Sequence, residues 1–109
     1  MQRLTYLCLG LLLLPSALYA GQVYGSVTSA GHGVARAVIE ISCNGAVTSG
    51  TTAADGSYRI NVPQRGQCTL TLTGYPGRPS AVVFSYSDSS QYDFELVAGP
   101  SGTYQIRRR

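Results

Sequence analysis

The ionisable side chains that could carry out catalysis are few and scattered. His32, the only histidine, lies in a glycine-rich stretch, SAGHGVAR. A Ser-His-Asp triad could be drawn around it, but no nucleophile-elbow motif accompanies any serine. Asp93 and Glu95 alternate on one predicted strand face, where exposed acids more often protect an edge than act as a catalytic pair. The sequence therefore predicts a chain that is not an enzyme.

Cys43 and Cys68 are the two cysteines after residue 20. In an exported domain such a pair predicts one disulfide. Closing a loop of about 26 residues would raise the free energy of unfolding by roughly 3–4 kcal/mol in the chain-entropy treatment. The alternative is a metal site with His32, but these three side chains include no closely spaced ligand pair. We expect a disulfide, no metal ion and no cofactor.

The stretch GYPGRP at residues 74–79 carries an aromatic ring and a guanidinium on a rigid loop. Tyr75 and Arg78 could stack on a sugar or bind a partner there, because aromatic and arginine side chains are enriched at recognition sites. The simpler interpretation is that Tyr75 closes one end of the fold. Both interpretations stay open at this point.

The chain ends in three arginines, Arg107, Arg108 and Arg109. Such a cluster could bind acidic lipid headgroups, an anionic polymer or an acidic protein partner. The simpler interpretation is a solvated, frayed terminus. Seven arginines against five acids give residues 21–109 a formal charge of about +2, which is too small a bias to predict nucleic-acid binding.

Residues 1–20 have the three parts of a secretory signal peptide. Arg3 supplies the basic start, an apolar core spans residues 7–14, and small residues lead to Ala20. The apolar core is shorter than the roughly 20 residues that span a bilayer, so we expect cleavage after Ala20 rather than a membrane anchor. Cys8 would leave with the signal. The prediction is an exported protein, periplasmic or secreted, with a single domain at 21–109 and no transmembrane segment after cleavage.

Short runs of alternating apolar residues, separated by Gly, Pro, Asn, Asp and Ser, fill the rest of the chain. This pattern predicts an all-β fold, a single small antiparallel β-sandwich of about seven strands. The predicted strands are 23–28, 37–43, 46–52, 58–62, 68–73, 81–86, 92–96 and a short edge strand at 103–107. Asn44-Gly45 is a strong signal for a two-residue hairpin, and the polar segment 87–91 is predicted to be a turn.

The order of these signals resembles the carboxypeptidase regulatory-like domain family. The stretches that carry the resemblance lie between about Gln22 and Tyr75, namely GQVYGSV, GVARAVIEISCNG, TTAADGSYRINVP, GQCTLTL and GY. The resemblance implies a transthyretin-like, or prealbumin-type, β-sandwich. Cys68 departs from the family, which often has an aromatic residue there. A second departure is that no accompanying catalytic or receptor domain is predicted.

The family's turn motif falls on Thr52, Asp55, Gly56 and Tyr58. The resemblance implies a hairpin turn at Asp55-Gly56, because glycine takes a positive φ without penalty and Asp tolerates such positions. We expect the Thr52 hydroxyl to brace this turn and Tyr58 to anchor the next strand in the core. A calcium site is the alternative, but Asp55 is the only acid nearby.

These features together predict a non-catalytic exported binding or interaction module. Its expected partner is a protein of the cell envelope or extracellular space, with the chain as an accessory or assembly component. Carbohydrate binding is the alternative, although the chain has no tryptophan to stack on a sugar. A third hypothesis, a transthyretin-like hydrolase acting on purine-derived ureides, lacks that group's His-rich signature here.

Overall fold

A computed structural model describes residues 21–109, and the predicted signal peptide with Cys8 lies outside the described residues. The described range forms ten strands in two sheets and contains no helix. The strands are β1 (Gly21–Ser29), β2 (His32–Gly33), β3 (Val38–Cys43), β4 (Ala46–Thr51), β5 (Ser57–Val62), β6 (Gly66–Leu72), β7 (Ser80–Ser85), β8 (Ser89–Gln91), β9 (Phe94–Ala98) and β10 (Tyr104–Arg108). The predicted all-β sandwich is therefore confirmed. A helix long and apolar enough to cross a membrane does not occur in residues 21–109.

The larger sheet is built around β1, which has partners on both sides. β5 pairs with it antiparallel over residues 21–26, and β2 continues on the same side. On the other side, β8 and then β9 pair with β1 in parallel, and β10 pairs antiparallel with β9. Two short parallel pairings thus accompany the antiparallel pairing that the sequence predicts.

The smaller sheet has the order β4-β3-β6-β7 and is antiparallel throughout. Asn44 and Gly45 both have positive φ in the turn between β3 and β4, as a two-residue hairpin requires. Cys43 and Cys68 continue the register of β3 with β6 and form the predicted disulfide, with a Cα–Cα distance of 4.4 Å. The disulfide therefore joins the two central strands of this sheet.

Side chains that alternate along the strands fill the space between the two sheets. Because successive strand residues point to opposite faces, each strand contributes every second residue to this core. The largest fully buried side chains are Phe94, Ile39, Ile41, Leu70, Leu72, Val23, Val27, Val62 and Val83. Tyr75, Ala81, Tyr104 and Ile106 are partly buried and pack against the core.

The predicted turn at 87–91 contains β8, and β9 begins at Phe94 rather than at Tyr92. The cause is that β8 pairs with β1 through its backbone while its side chains stay mostly exposed, so it shows no apolar alternation. Between the two strands, the Asp93 carboxylate replaces a backbone partner. It accepts hydrogen bonds from the Ser26 N–H at 3.0 Å and from the Ser26 hydroxyl at 3.2 Å.

Candidate functional site

The Asp55-Gly56 turn joins the end of β4 to β5. Gly56 has φ 86° and its N–H donates to the Ala53 carbonyl at 2.9 Å, which closes the turn. The Asp55 carboxylate accepts hydrogen bonds from the Ser57 hydroxyl at 2.7 Å and the Ser57 N–H at 3.0 Å. These bonds, the hydroxyl bond first, lower the pKa of the Asp55 carboxyl below its ordinary value. The carboxylate is thus used in holding the turn.

Thr52 does not brace this turn, so that prediction is corrected. Its buried hydroxyl accepts a hydrogen bond from the Ala37 N–H at 2.8 Å and donates one to the Val34 carbonyl at 2.6 Å. Both partners belong to the segment between β2 and β3. The physical reason is that Thr52 pairs with Ala37 beyond the end of β4, which turns its side chain towards that segment.

Tyr58 lies in the core, and its hydroxyl donates to the Tyr92 carbonyl at 2.6 Å. Burial, and secondarily the nearby charge of Asp93, raises the pKa of the Tyr58 hydroxyl above its ordinary value. Tyr92 is also buried, and its hydroxyl oxygen accepts a hydrogen bond from the Phe84 N–H at 2.9 Å. The two tyrosines therefore link β5, the β8–β9 connection and β7.

The acidic side chains considered for catalysis are bonded to other partners. Asp93 is bonded to Ser26, and Glu95 forms a 3.0 Å ion pair with Arg107. His32 is exposed in the two-residue strand β2. No group of three or more His, Cys, Asp or Glu residues that could hold a metal ion occurs within residues 21–109.

Tyr75 is half-buried rather than displayed on the loop, which corrects the expectation of an exposed stacking platform. Its ring packs against the Tyr104 ring with centroids 5.3 Å apart and planes at 69°. The interpretation that Tyr75 closes one end of the sandwich fits this packing. Arg78 is exposed, has φ 45°, and lies 3.9 Å from the Glu40 carboxylate. The Arg78 N–H donates to the Tyr75 carbonyl at 3.0 Å, so the two residues share one turn, while the Tyr75 ring contacts Tyr104 and the Arg78 guanidinium faces Glu40.

The three C-terminal arginines do not form a frayed tail, so the simpler interpretation given above is corrected. Arg107 and Arg108 belong to β10, and the Arg109 N–H donates to the Asp93 carbonyl at 2.8 Å. The Arg108 guanidinium lies 4.5 Å from the centre of the Tyr92 ring. Pairing of β10 with β9 holds these residues, because the backbone bonds continue to the last residue.

The outer face of the smaller sheet carries an apolar surface that the sequence analysis missed. Five side chains that are 38–58% exposed lie on this face, and we call them the apolar face. They are Val38, Val47, Val82, Phe84 and Tyr86. Val47 and Val82 lie in one row across the sheet, through Ser42 and Thr69. Glu40 is the one charged residue in the four strands, so this face is nearly without charge.

The outer face of the larger sheet is polar by contrast. Tyr24 lies beside Arg59 in the register of β1 with β5, and the guanidinium is 5.1 Å from the centre of the ring. Gln22 donates to the Asn61 side chain at 3.0 Å and accepts from Arg59. A groove of about 340 Å³ opens next to them, lined in part by Tyr24, Tyr58 and Arg59. Amide, aromatic and guanidinium groups are thus adjacent on this face.

A second groove, of about 460 Å³, lies where the start of β7 approaches β10, at one side of the sandwich. Its lining runs along residues 77–80 and 103–106. A volume of this size falls in the range of ligand sites, about 300–1,000 Å³. We call it the edge groove, because each of the two strands that border it is the last of its sheet.

Comparisons with known proteins bear on the fold. Searches with protein-family models and among curated proteins found no match. Among solved structures, the chain is similar to a DUF3823 family protein from Parabacteroides merdae, with a TM-score of 0.53 and 14% sequence identity. The similarity covers 81% of this chain and 58% of that one, so the chain spans less than two thirds of its neighbour. At this identity the likeness shows the fold alone, a β-sandwich.

Proposed function

We propose that the protein is a non-catalytic exported binding module that docks on a protein partner through the apolar face. The observation that carries the proposal is that all the exposed large apolar side chains within residues 21–109 lie on that one face. Between Val47 and Val82 this face presents the small polar side chains of Ser42 and Thr69, and its charges are the exposed pair of Glu40 with Arg78. A weakly charged surface with exposed valine and aromatic side chains is the kind that protein interfaces bury.

The proposal that the protein is not an enzyme rests on the bonding partners of three acidic side chains. Asp55, Asp93 and Glu95 each have a hydrogen-bonded or ion-paired partner that holds a turn or a strand. Catalytic carboxylates need a cleft and unequal environments, and neither of the two grooves described above is lined by any of these three acids. The role we propose is therefore contact, as an accessory or assembly component of an envelope or secreted system.

The proposed location is outside the cytoplasm, periplasmic or secreted. The signal-like residues 1–20 support export, and the Cys43–Cys68 disulfide supports it independently, since disulfides persist in oxidising compartments. We also propose membership of the carboxypeptidase regulatory-like, transthyretin-like group. Its motif order in the sequence and the two-sheet sandwich support this assignment.

The test is crosslinking of the protein in its native host, purification under denaturing conditions and identification of attached proteins by mass spectrometry. Val47→Arg places a charge at the β4 edge of the apolar face. Asn61→Arg adds the same charge at an exposed strand position on the polar face, and is the matched control. We expect one dominant partner for the parent and the control, and its loss in Val47→Arg. Recovery of the parent chain alone, or equal capture by both variants, would contradict the proposal.

Carbohydrate binding is the second candidate, and one observation favours it. The cluster of Tyr24, Arg59 and the Gln22 and Asn61 amides offers a ring and hydrogen-bonding groups on the polar face. It ranks second because the Arg59 guanidinium lies over the ring where a sugar would stack. Retention on insoluble polysaccharides that Tyr24→Ala abolishes, and that Tyr86→Ala and Tyr75→Ala leave intact, would establish it. Absence of retention for the parent would exclude it.

A further inference from the structure

We infer that the outer edge of β7, together with the edge groove beside its first residue, is a second binding site next to the apolar face, and that it takes an extended acidic peptide strand pairing with β7. The inference starts from the hydrogen-bond pattern of β7. The Leu72 N–H donates to the Pro79 carbonyl at 2.9 Å, so these two residues form a hydrogen-bonded pair in the β6–β7 register. In antiparallel pairs such residues alternate. The backbone groups of Ser80, Val82 and Phe84 therefore point away from β6, along the outer edge of β7, and Ser80 among them lines the edge groove.

One of these three backbone N–H groups already has a hydrogen-bond partner on the side away from β6. The Phe84 N–H bonds to the Tyr92 hydroxyl, which closes the far end of the β7 edge. At the near end, the Tyr104 N–H donates to the Pro76 carbonyl at 2.9 Å. Between these two closures, no strand within residues 21–109 pairs with the outer edge of β7. Ser80 and Val82 thus present an open edge, which is a template for strand addition.

The same argument applies to β10 on the opposite wall. The Gly99 N–H donates to the Thr103 carbonyl at 2.7 Å, and the Arg109 N–H to the Asp93 carbonyl at 2.8 Å. Alternation from these pairs directs the backbone of Ile106 to the groove. Its side chain packs partly against the core, as does that of Ala81 on β7. Inward-facing side chains of an added strand would therefore meet apolar groups.

Charge decides which strand would fit. Arg78 stands at one end of the β7 edge, where an acid of the peptide would compete with the exposed Glu40 carboxylate at 3.9 Å, and Arg108 lies over the Tyr92 ring at the other end. The residues that line the groove include one arginine and no acid. Six residue steps separate the positions of Arg78 and Phe84, about 20 Å of extended chain. A strand of about seven residues with apolar residues at alternate positions and an acid at each end matches this layout.

The same charges argue against a second copy of this chain as the occupant. β7 contains no charged residue, and β10 contains two arginines and no acid. Pairing either edge with its own copy would bring arginine towards arginine, or leave both ends of the groove unmatched. A partner of opposite charge avoids this, since like charges placed close together lower affinity.

The probe is the acetylated, amidated heptapeptide Glu-Val-Thr-Val-Thr-Val-Glu, and the matched control peptide has Lys in place of both Glu residues. Binding is followed by two-dimensional NMR of the isotope-labelled protein. We expect shifted resonances and slowed amide exchange at Ser80, Val82 and Ile106 with the acidic peptide, and weaker binding of the basic one. No shift with the acidic peptide, or equal binding of both peptides, would overturn the inference.

Two variants test the mode of binding. Val82→Pro removes an edge N–H that is not used by β6, a position where proline is tolerated in sheets, and we expect it to abolish peptide binding. Arg78→Gln should weaken binding by up to about fivefold, as for an exposed ion pair, whereas Arg65→Gln, at the exposed turn before β6, should not. If Val82→Pro does not fold, two comparisons still test the inference: Arg78→Gln against Arg65→Gln, and the acidic peptide against the basic one. Binding unchanged in both Val82→Pro and Arg78→Gln would overturn the inference.

The two proposed sites can fail separately. Val47→Arg lies on β4, at the opposite side of the smaller sheet from β7, so it should abolish partner capture and leave peptide binding intact. Sedimentation of the parent at increasing concentration tests the remaining occupant. A dimer that Val82→Pro dissociates and Val47→Arg leaves intact would assign the edge groove to a second copy and overturn the acidic-peptide inference.

Discussion

The Phe84 N–H donates a 2.9 Å hydrogen bond to the Tyr92 hydroxyl oxygen, and this bond joins the edge of the smaller sheet to the larger sheet. Tyr92→Phe would leave that N–H without its partner. We expect the free energy of unfolding in urea to fall by about 1–2 kcal/mol. Tyr86→Phe is the matched control, because the Tyr86 hydroxyl makes no hydrogen bond within the described residues and should change stability little. An equal loss for both variants would contradict this role of Tyr92.

Substitutions at Gly56 and Gly31 distinguish two effects of a side chain at positive φ, namely backbone strain and crowding of the added Cβ. Both have nearly the same φ, 86° and 83°, but a Cβ at Gly56 would lie 2.4 Å from the Val27 carbonyl oxygen while one at Gly31 would meet nothing. Gly31→Ala should cost about 1–2 kcal/mol of stability, from the backbone alone. Gly56→Ala should cost about 1–3 kcal/mol more, from crowding. Urea unfolding of the two variants measures the difference, and equal costs would contradict the predicted crowding.

Replacing Ser85 should increase stability, because its buried hydroxyl has no hydrogen-bond partner within the described residues. Ser85→Ala removes an unsatisfied polar group and should raise the free energy of unfolding by about 1 kcal/mol. Ser26→Ala deletes the same atom where it donates to Asp93 and accepts from Arg109, and should lower stability. Opposite signs in thermal unfolding are the expected outcome. A destabilised Ser85→Ala would show that the hydroxyl is satisfied in solution.

Loss of the Cys43–Cys68 disulfide should lower the free energy of unfolding by about 3–4 kcal/mol. The effect would come mainly from the unfolded chain, because the cysteines already lie opposite each other across β3 and β6. The Cys43→Ala/Cys68→Ala double variant and the reduced parent should unfold at the same denaturant concentration. A reducing agent should not change the double variant. An unchanged midpoint for the parent on reduction would rule the disulfide out in the isolated protein.

Stability should decline at alkaline pH because of Tyr58. An unfolded tyrosine ionises near pH 10, whereas burial raises the pKa of the folded Tyr58 hydroxyl well above this. The contribution of Tyr58 is thus fully present below about pH 10 and is lost as the pH rises above it. The urea concentration at the unfolding midpoint of the parent should fall as the pH is raised from about 8 to about 11. Tyr58→Phe should show a flatter dependence, and an identical slope would contradict the assignment.

The sequence predicts the architecture well wherever apolar alternation is strong. Ile39 and Ile41, or Leu70 and Leu72, alternate with polar residues, and these strands lie close to where the pattern predicts them. β8 was not predicted because its mostly exposed side chains show no apolar alternation, although its backbone pairs with β1. Thr52 was placed at the wrong turn because its hydroxyl bonds to residues 15 and 18 positions away, and only the pairing of β3 with β4 brings them together.

The candidate surfaces were largely out of reach of the sequence. Val47 and Val82 are far apart along the chain, and they share a row only through the registers of three strand pairs. One signal was present: in β7, both alternating sets include valine, which indicates a strand that is apolar on both faces. The edge groove depends on which strands end each sheet, and this is a property of topology that no local pattern encodes.

The position of β1 in the middle of the larger sheet has a kinetic consequence. The smaller sheet joins strands that follow one another closely between residues 38 and 85, with β5 the single strand of that stretch assigned to the other sheet. By contrast, β1 pairs on one side with β8 and β9, which lie near the end of the chain. The Ser26–Asp93 hydrogen bond there joins residues that are 67 positions apart. Loops of this length form late, because their closure entropy is lost before the contacts form. During folding, the disulfide-linked sheet can therefore assemble first, whereas the larger sheet is complete only when β8, β9 and β10 have joined β1.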